Sequence, residues 1–309
     1  MKGNTIEINV NKLRDPFVLS ENGVYYMCGT QITSDWDNGS GWACYKNISG
    51  RLDGEWTRIE NIANIPKSAI KNRWAPEVHK YNGAYYMFAS YYSSETNHRG
   101  CTILKSNSPE GPFDEITKGH ITPADRDAID GTLYVNENNQ PWMVFVSEWT
   151  SAEDKIGRMA AARLSEDLTH FISEPVELFR ADAPEWARGH ITDGCFMYKT
   201  EDNRLLMLWS NFDEYGYCVG LARSKNGKID GEWLQEKNVL FSKSAFGQYD
   251  GGHGMIFTDF DGQMYLSIHS PNTPTNDRLE KPVFIPLYEE HTENNTTLQI
   301  YHNRGENER

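Results

Sequence analysis

Apolar and polar positions alternate along this chain in short runs, and the same order of runs keeps returning. Arg188 to Trp209 reads RGHITDGCFMYKTEDNRLLMLW: a polar opening at Thr192-Asp193-Gly194, an apolar strand, a polar turn at 201–204, and a second apolar strand. Ala128 to Phe145 (AIDGTLYVNENNQPWMVF) and His253 to Ile268 (HGMIFTDFDGQMYLSI) repeat it, as do Arg14 to Met27 and Pro76 to Phe88. The five units open on Asp15, Glu77, Asp130, Asp193 and His253, spaced 62, 53, 63 and 60. Self-similarity at a fixed period is the signature of a repeat architecture.

Between the paired strands lie Asn22-Gly23, Asn82-Gly83 and Asp261-Gly262, dipeptides that favour positive φ and predict tight hairpins. Third strands are expected at Gly41–Tyr45, Gly100–Lys105, Arg158–Leu164 and Tyr217–Arg223. A second marker follows them: LDGEW at 52–56, PEGPF at 109–113, DLTHF at 167–171 and IDGEW at 229–233. Its closing aromatics, Trp56, Phe113, Phe171 and Trp233, keep the same period. About four strands per unit, five units and no strong helical period predict an all-β fold, a five-bladed β-propeller. Radial repetition disposes of exposed sheet edges. A further strand at 5–10 is placed to pair near Lys281–Tyr288 and close the ring. The expected organisation is a single catalytic propeller domain over 1–309, the propeller itself spanning about 10–290 before a short C-terminal tail.

Composition narrows the partners. Lys+Arg 30 against Asp+Glu 44 gives a net charge of −14 with no basic stripe, which argues against nucleic acid and anionic membrane. No apolar run approaches the ~20 residues of a membrane helix. The N-terminus, MKGNTIEINVNKLRD, lacks the apolar core of a secretory signal. The expectation is therefore cytoplasmic if that end is native, and periplasmic or secreted if a leader has been removed. Cys28, Cys44, Cys101, Cys195 and Cys218 lie in apolar runs without a CxxC, so free buried thiols are expected rather than disulfides. Nine Trp, sixteen Tyr and thirteen Phe suit β-structure and sugar-stacking surfaces.

In a propeller the innermost strand of each blade lines the axis, so the five opening residues converge at one mouth. Singly, each reads as a turn cap. Together, four carboxylates and an imidazole read as a site whose crowded charges push pKa values apart. The set Arg14-Asp15-Pro16, Trp74-Ala75-Pro76-Glu77, Ile129-Asp130-Gly131, Thr192-Asp193-Gly194 and the glycine-flanked His253 resembles glycoside hydrolase family 43, over about residues 10 to 290. The resemblance implies inverting hydrolysis of arabinose- or xylose-containing polysaccharide fragments, of α-L-arabinofuranosidase or β-xylosidase type. It makes Asp15 the general base, Asp130 the carboxylate that orients and tunes the acid, and the fourth-blade residue, Asp193, the general acid. The family acid is usually Glu before Gly or Ala and then Pro; here it is Asp193-Gly194-Cys195, one methylene shorter. Glu185 and Glu148 are the alternative acids.

The resemblance implies no cofactor for the chemistry. It matches His253 to an axial histidine that in many members helps hold a central metal ion, often calcium, through water; a satisfied core histidine is the other reading. Glu77 is expected near the site, with an ion pair to Arg73 as its structural alternative. Trp74, Trp36, Trp149 and Phe212 are expected as a sugar platform and Arg278 as a contact to sugar hydroxyls, while Trp209 reads as core. The rival classes are a retaining fructosyl hydrolase, whose Asn-Asp-Pro and Glu-Cys motifs are missing here, and a propeller that binds glycans without cleaving them.

Overall fold

The structure is a computed structural model that describes residues 4–33, 35, 38, 40–246, 248–275, 278–292 and 296–301. The first blade comprises β2 (Leu13–Glu21), β3 (Val24–Gln31), β4 (Gly41–Asn47) and β5 (Thr57–Ile59), preceded by β1 (Ile6–Glu7). The second is β6 (Ala69–Tyr81), β7 (Ala84–Ser93), β8 (Arg99–Ser106) and β9 (Asp114–Glu115). The third is β10 (Ala128–Val135), β11 (Pro141–Ser147), β12 (Arg158–Arg163) and β13 (Val176–Arg180). The fourth is β14 (Asp193–Lys199), β15 (Leu205–Phe212), β16 (Tyr217–Ser224) and β17 (Trp233–Gln235). The fifth is β18 (Gly252–Thr258), β19 (Met264–Ser270) and β20 (Lys281–His291), with β21 (Thr296–Ile300) on its outer side. Each blade is an antiparallel meander, giving the five-bladed propeller that the repeat predicts.

Both chain ends close the fifth blade. β1 pairs with the upper half of β20 (Ile6 opposite Phe284), and β21 with its lower half (Leu287 opposite Ile300). The N-terminal strand therefore sits where the sequence pattern puts it. Five apolar clusters fill the five interfaces between neighbouring blades. Trp209 is wholly buried in one of them, as expected of a core residue, and its indole donates to Gln235.

Asn22-Gly23 and Asn82-Gly83 form two-residue hairpins with positive φ at both residues, the geometry that matches the strand twist. Asp261-Gly262 does not. Its turn runs from Asp259 to Gln263, and a side-chain oxygen of Asp259 accepts the Gln263 N–H at 2.8 Å. Asn136–Gln140 and Thr200–Arg204 close the third and fourth hairpins in the same way, at 2.9 Å each. The LDGEW and IDGEW markers share a device too: the Trp56 and Trp233 indoles donate to the carbonyls of Leu52 and Ile229, four residues back. In the third blade the outer strand follows at 176–180, beyond Phe171, rather than at the DLTHF marker.

The cysteine expectation is corrected. Cys28 on β3 and Cys44 on β4 face each other directly and form a disulfide, their Cα atoms 4.0 Å apart. Hairpin register places the two thiols together, which spacing alone did not reveal. Cys101, Cys195 and Cys218 are free and buried.

Candidate active site at the propeller mouth

Every innermost strand carries a bulge at the same height. Register breaks after Arg14, Trp74, Ile129, Asp193 and Gly252, and the next residue in each case has positive φ: Asp15 (54°), Ala75 (43°), Asp130 (55°), Gly194 (55°) and His253 (53°). The equivalent positions are therefore 15, 75, 130, 194 and 253. Glu77 lies two residues past the bulge of its blade, and Asp193 one residue before its own. Left-handed backbone at a non-glycine residue costs of order 1–3 kcal/mol and clusters at functional sites.

The bulges are pinned in a ring. In four of the five, the amide of the bulged residue donates to a side chain on the second strand of the preceding blade. Ala75 N–H donates to Thr30 Oγ1 (2.7 Å), Asp130 N–H to Ser90 Oγ (2.9 Å), His253 N–H to Ser210 Oγ (2.8 Å) and Asp15 N–H to His269 Nδ1 (3.3 Å). At the fourth blade the equivalent of those acceptors is Val146, which has no acceptor to offer. Gly194 N–H donates instead to Asp130 Oδ2 at 2.9 Å. Gly194 is required there, because a Cβ would lie 2.7 Å from His253 Cγ and 2.8 Å from His253 Cα.

The ring brings Asp15, Asp130, Asp193 and His253 together. Asp15 and Asp193 keep partial access to solvent at the mouth, while Asp130 and His253 are buried beneath. His253 Nδ1 lies 3.2 Å from Asp15 Oδ1 and 3.8 Å from Asp130 Oδ2. Thr30 Oγ1 donates to Asp15 Oδ2 at 2.6 Å. Tyr217 donates its hydroxyl to Asp193 Oδ2 at 3.0 Å, and among the described residues no protein donor reaches Asp193 Oδ1.

These surroundings push the carboxyls apart. Burial acts to raise Asp15, but His253, Arg14 and the Thr30 hydrogen bond outweigh it, so its pKa lies below the usual range. His269, also beside Asp15, is pushed by burial down to about 3 and stays neutral. Burial and then the neighbouring Asp15 and Glu77 raise Asp130 to about 6, against the pull of His253 and the Gly194 N–H. Burial and then Asp130 raise Asp193 to about 8. Burial opposes the charged form of His253, yet the surrounding carboxylates prevail and raise its pKa. Near neutral pH the arrangement is thus a charged Asp15 beside a protonated Asp193, with His253 held between carboxyls that favour its charged form.

The other expected residues fall in several places. Glu77 is buried below the mouth and pairs with His79 Nε2 at 2.9 Å, not with Arg73. Trp74 is half-buried at the rim, its indole on Ser40 Oγ and the Arg99 guanidinium over its ring at 5.8 Å. Trp149 and Phe212 are half-buried on rim segments, Phe212 against the Tyr217 ring. Trp36 lies outside the described residues. Arg278 is placed away from the carboxyls: it binds Glu7 Oε1 at 2.7 Å and stacks on Tyr249 at 4.3 Å, at the edge where β1 joins the fifth blade. Of the alternative acids, Glu148 is buried and held by Arg99 Nε at 2.7 Å, and Glu185 is exposed on the loop before β14.

Calcium takes six to eight oxygen ligands. His253 Nδ1 faces Asp15 and Asp130, so the ring nitrogen it has to offer an ion is Nε2. Among the described residues, the set of His and carboxylate ligand atoms that gathers within 4.8 Å is Glu201, Glu289 and His291, at the far ends of β14 and β20. The described axial residues thus gather no direct set of His and carboxylate ligands for calcium, and His253 Nε2 is the group that would face an ion held through water.

Sequence reading missed Tyr217, His269 and the acceptors Thr30, Ser90 and Ser210. The acceptor residues were within reach, since 30, 90, 210 and 269 follow the blade period. Nothing in the sequence tied Tyr217 to Asp193.

Five blades that bring carboxyls of different environment to one mouth define a propeller with a candidate site on its axis. The chain belongs to glycosyl hydrolases family 43, whose profile matches residues 8–289. A solved structure titled as the endo-arabinase from Bacteroides thetaiotaomicron VPI-5482 is 33% identical, covers 93% of this chain and 98% of its own, and superposes with a TM-score of 0.78. The probable arabinan endo-1,5-alpha-L-arabinosidase A of Aspergillus flavus is 27% identical over 227 residues, 71% of this chain. That match spans 64% of the Aspergillus protein's length, just under two thirds. The extracellular exo-alpha-(1->5)-L-arabinofuranosidase ArbA of Cellvibrio japonicus is 24% identical, over 85% of this chain and 80% of its own. No described helix is long and apolar enough to cross a membrane.

Proposed function

We propose that the chain is an inverting glycosidase that hydrolyses arabinan, with Asp15 as general base, Asp193 as general acid and Asp130 as the residue that holds and tunes the acid. The observation that carries this reading is the opposite ionisation of Asp15 and Asp193, two carboxyls that share a mouth and differ in environment. Pairs of titratable groups driven apart in this way divide acid from base roles. Asp15 takes a proton from water as the water oxygen bonds to the anomeric carbon. Asp193 gives its proton to the departing glycosidic oxygen as the old C–O bond breaks. Attack opposite the leaving group inverts the anomeric centre. Asp130, bonded to the Gly194 amide, fixes the strand beside the acid, and its charge favours the protonated form of Asp193. Trp74, braced by Arg99, and Phe212 at the rim are the surfaces on which sugar rings would stack.

The catalytic set lies within a single propeller, about residues 10–290. Arabinan is favoured over xylan because the relatives named above carry arabinan-directed names. We place the enzyme outside the reducing cytoplasm, where a disulfide such as Cys28–Cys44 persists; a relative named extracellular agrees. The test is hydrolysis of linear arabinan and of arabinoxylan, with proton NMR of the first-formed product. Arabinan cleavage with the inverted anomer is expected. A retained anomer would overturn the mechanism, and binding of arabinan without cleavage would make the chain a glycan-binding propeller.

A further inference from the structure

We propose that Tyr217 is the positioning residue that lets a short acid work: its hydroxyl holds Asp193 Oδ2, leaving the transferable proton on Oδ1 at the mouth. This rests on the reading of Asp193 as the acid. An aspartate has one methylene less than the glutamate usual at this position, so its carboxyl reaches less far and needs its own anchor.

The anchor is built to be immobile. Tyr217 opens β16 and is 2% exposed. Its N–H donates to Asp250 Oδ2 at 3.3 Å and its carbonyl accepts the Gly251 N–H at 3.1 Å. The ring packs on Phe212, with centroids 5.3 Å apart, and stacks on His269 at 5.7 Å and 24°. Gly252 leaves the slot open, because a Cβ there would stand 2.5 Å from Tyr217 Cε1. His269, the ring beneath, is the residue whose Nδ1 accepts the Asp15 N–H. One aromatic pair therefore connects the anchor of the acid to the backbone of the base.

The hydroxyl has a defined chemical effect. A donor on Oδ2 directs the proton of the neutral acid to Oδ1. It also stabilises the carboxylate left after transfer, which lowers the pKa of Asp193 relative to its value without the donor. Burial and the nearby carboxylates keep the phenol itself protonated across the working range.

The experiment compares wild type with Tyr217→Phe, using kcat/KM against pH on a linear arabino-oligosaccharide and on a dinitrophenyl arabinofuranoside. Loss of a hydrogen bond to a charged group should move the basic limb upward by roughly one pH unit or more. Turnover of the oligosaccharide should fall about 10- to 100-fold with KM little changed, and the activated glycoside should lose far less. A site-specific fluorotyrosine at 217, a stronger donor of nearly the same shape, should move the limb downward, and this arm decides the matter if Tyr217→Phe fails to fold. An unmoved limb in either folded variant would overturn the positioning role. Asp193→Asn serves as the control: equal loss on both substrates there would overturn the acid assignment itself, a distinct result.

Discussion

At the scale of the residue, the structure gives similar carboxyls different surroundings. Asp15→Asn should lower kcat by roughly 10²–10⁴-fold while leaving oligosaccharide affinity nearly intact, because the base acts on water in the transition state. Stopped-assay kinetics with calorimetric binding check this, and retention of a tenth of the activity would remove Asp15 from the role. The pH profile carries a second prediction. An acid must be protonated to act, and Asp193 is raised to about 8, so kcat/KM should hold through neutrality and fall as pH rises beyond about 8. The base must be charged, and Asp15 lies below the usual range, so the acidic limb should fall only below an ordinary aspartate pKa. Asp15, Asp130, Asp193 and His253 were legible in the sequence because each sits beside a turn or bulge signal. The place of Arg278 was not legible, since a lone arginine gives no hint that it will meet Glu7, 271 residues away.

At the scale of the element, hairpins and third strands were readable because alternation and Asn-Gly are local signals. The bulge was not. It shifts register by one residue, and the eye aligns Asp-Gly with Asp-Gly although Asp130 occupies the bulge and Asp193 precedes it. The offset matters, since neighbouring residues in a strand point to opposite faces. The disulfide escaped for a similar reason: it depends on the exact pairing of β3 with β4. Gly194→Ala tests the bulge. At φ 55°, with His253 less than 3 Å from the new methyl, it should cost more than about 1 kcal/mol of stability and displace the imidazole. Chemical denaturation should show a lower midpoint, accompanied by loss of activity. A variant as stable and active as wild type would refute the packing argument.

At the scale of the molecule, closure joins the two ends of the chain. Removing residues 4–9 would strip β1 from β20, expose the apolar edge that Ile8 covers at 2% exposure, and leave Arg278 without Glu7. Burial of one such side chain is worth roughly 1.5–3 kcal/mol, so the melting temperature should drop by several degrees. An unchanged melting curve would show that β21 alone seals the fifth blade. Reducing Cys28–Cys44, whose partners are separated by 16 residues, should cost about 3 kcal/mol at most in denaturant with and without dithiothreitol.

The ring of pinned amides has one irregular member, and its consequence is a coupling of charge to shape. Four blades steady their neighbours with groups that stay neutral near pH 7: three hydroxyls and the unprotonated His269. The third blade offers Val146 at that place, and an ionisable group, Asp130, has taken over the duty of steadying the fourth. A proton on Asp130 weakens a strut as well as a charge. The strand that presents Asp193 therefore responds to acidity near pH 6, where the other four do not, and a threonine at 146 would return the fifth contact to the rule its sisters follow.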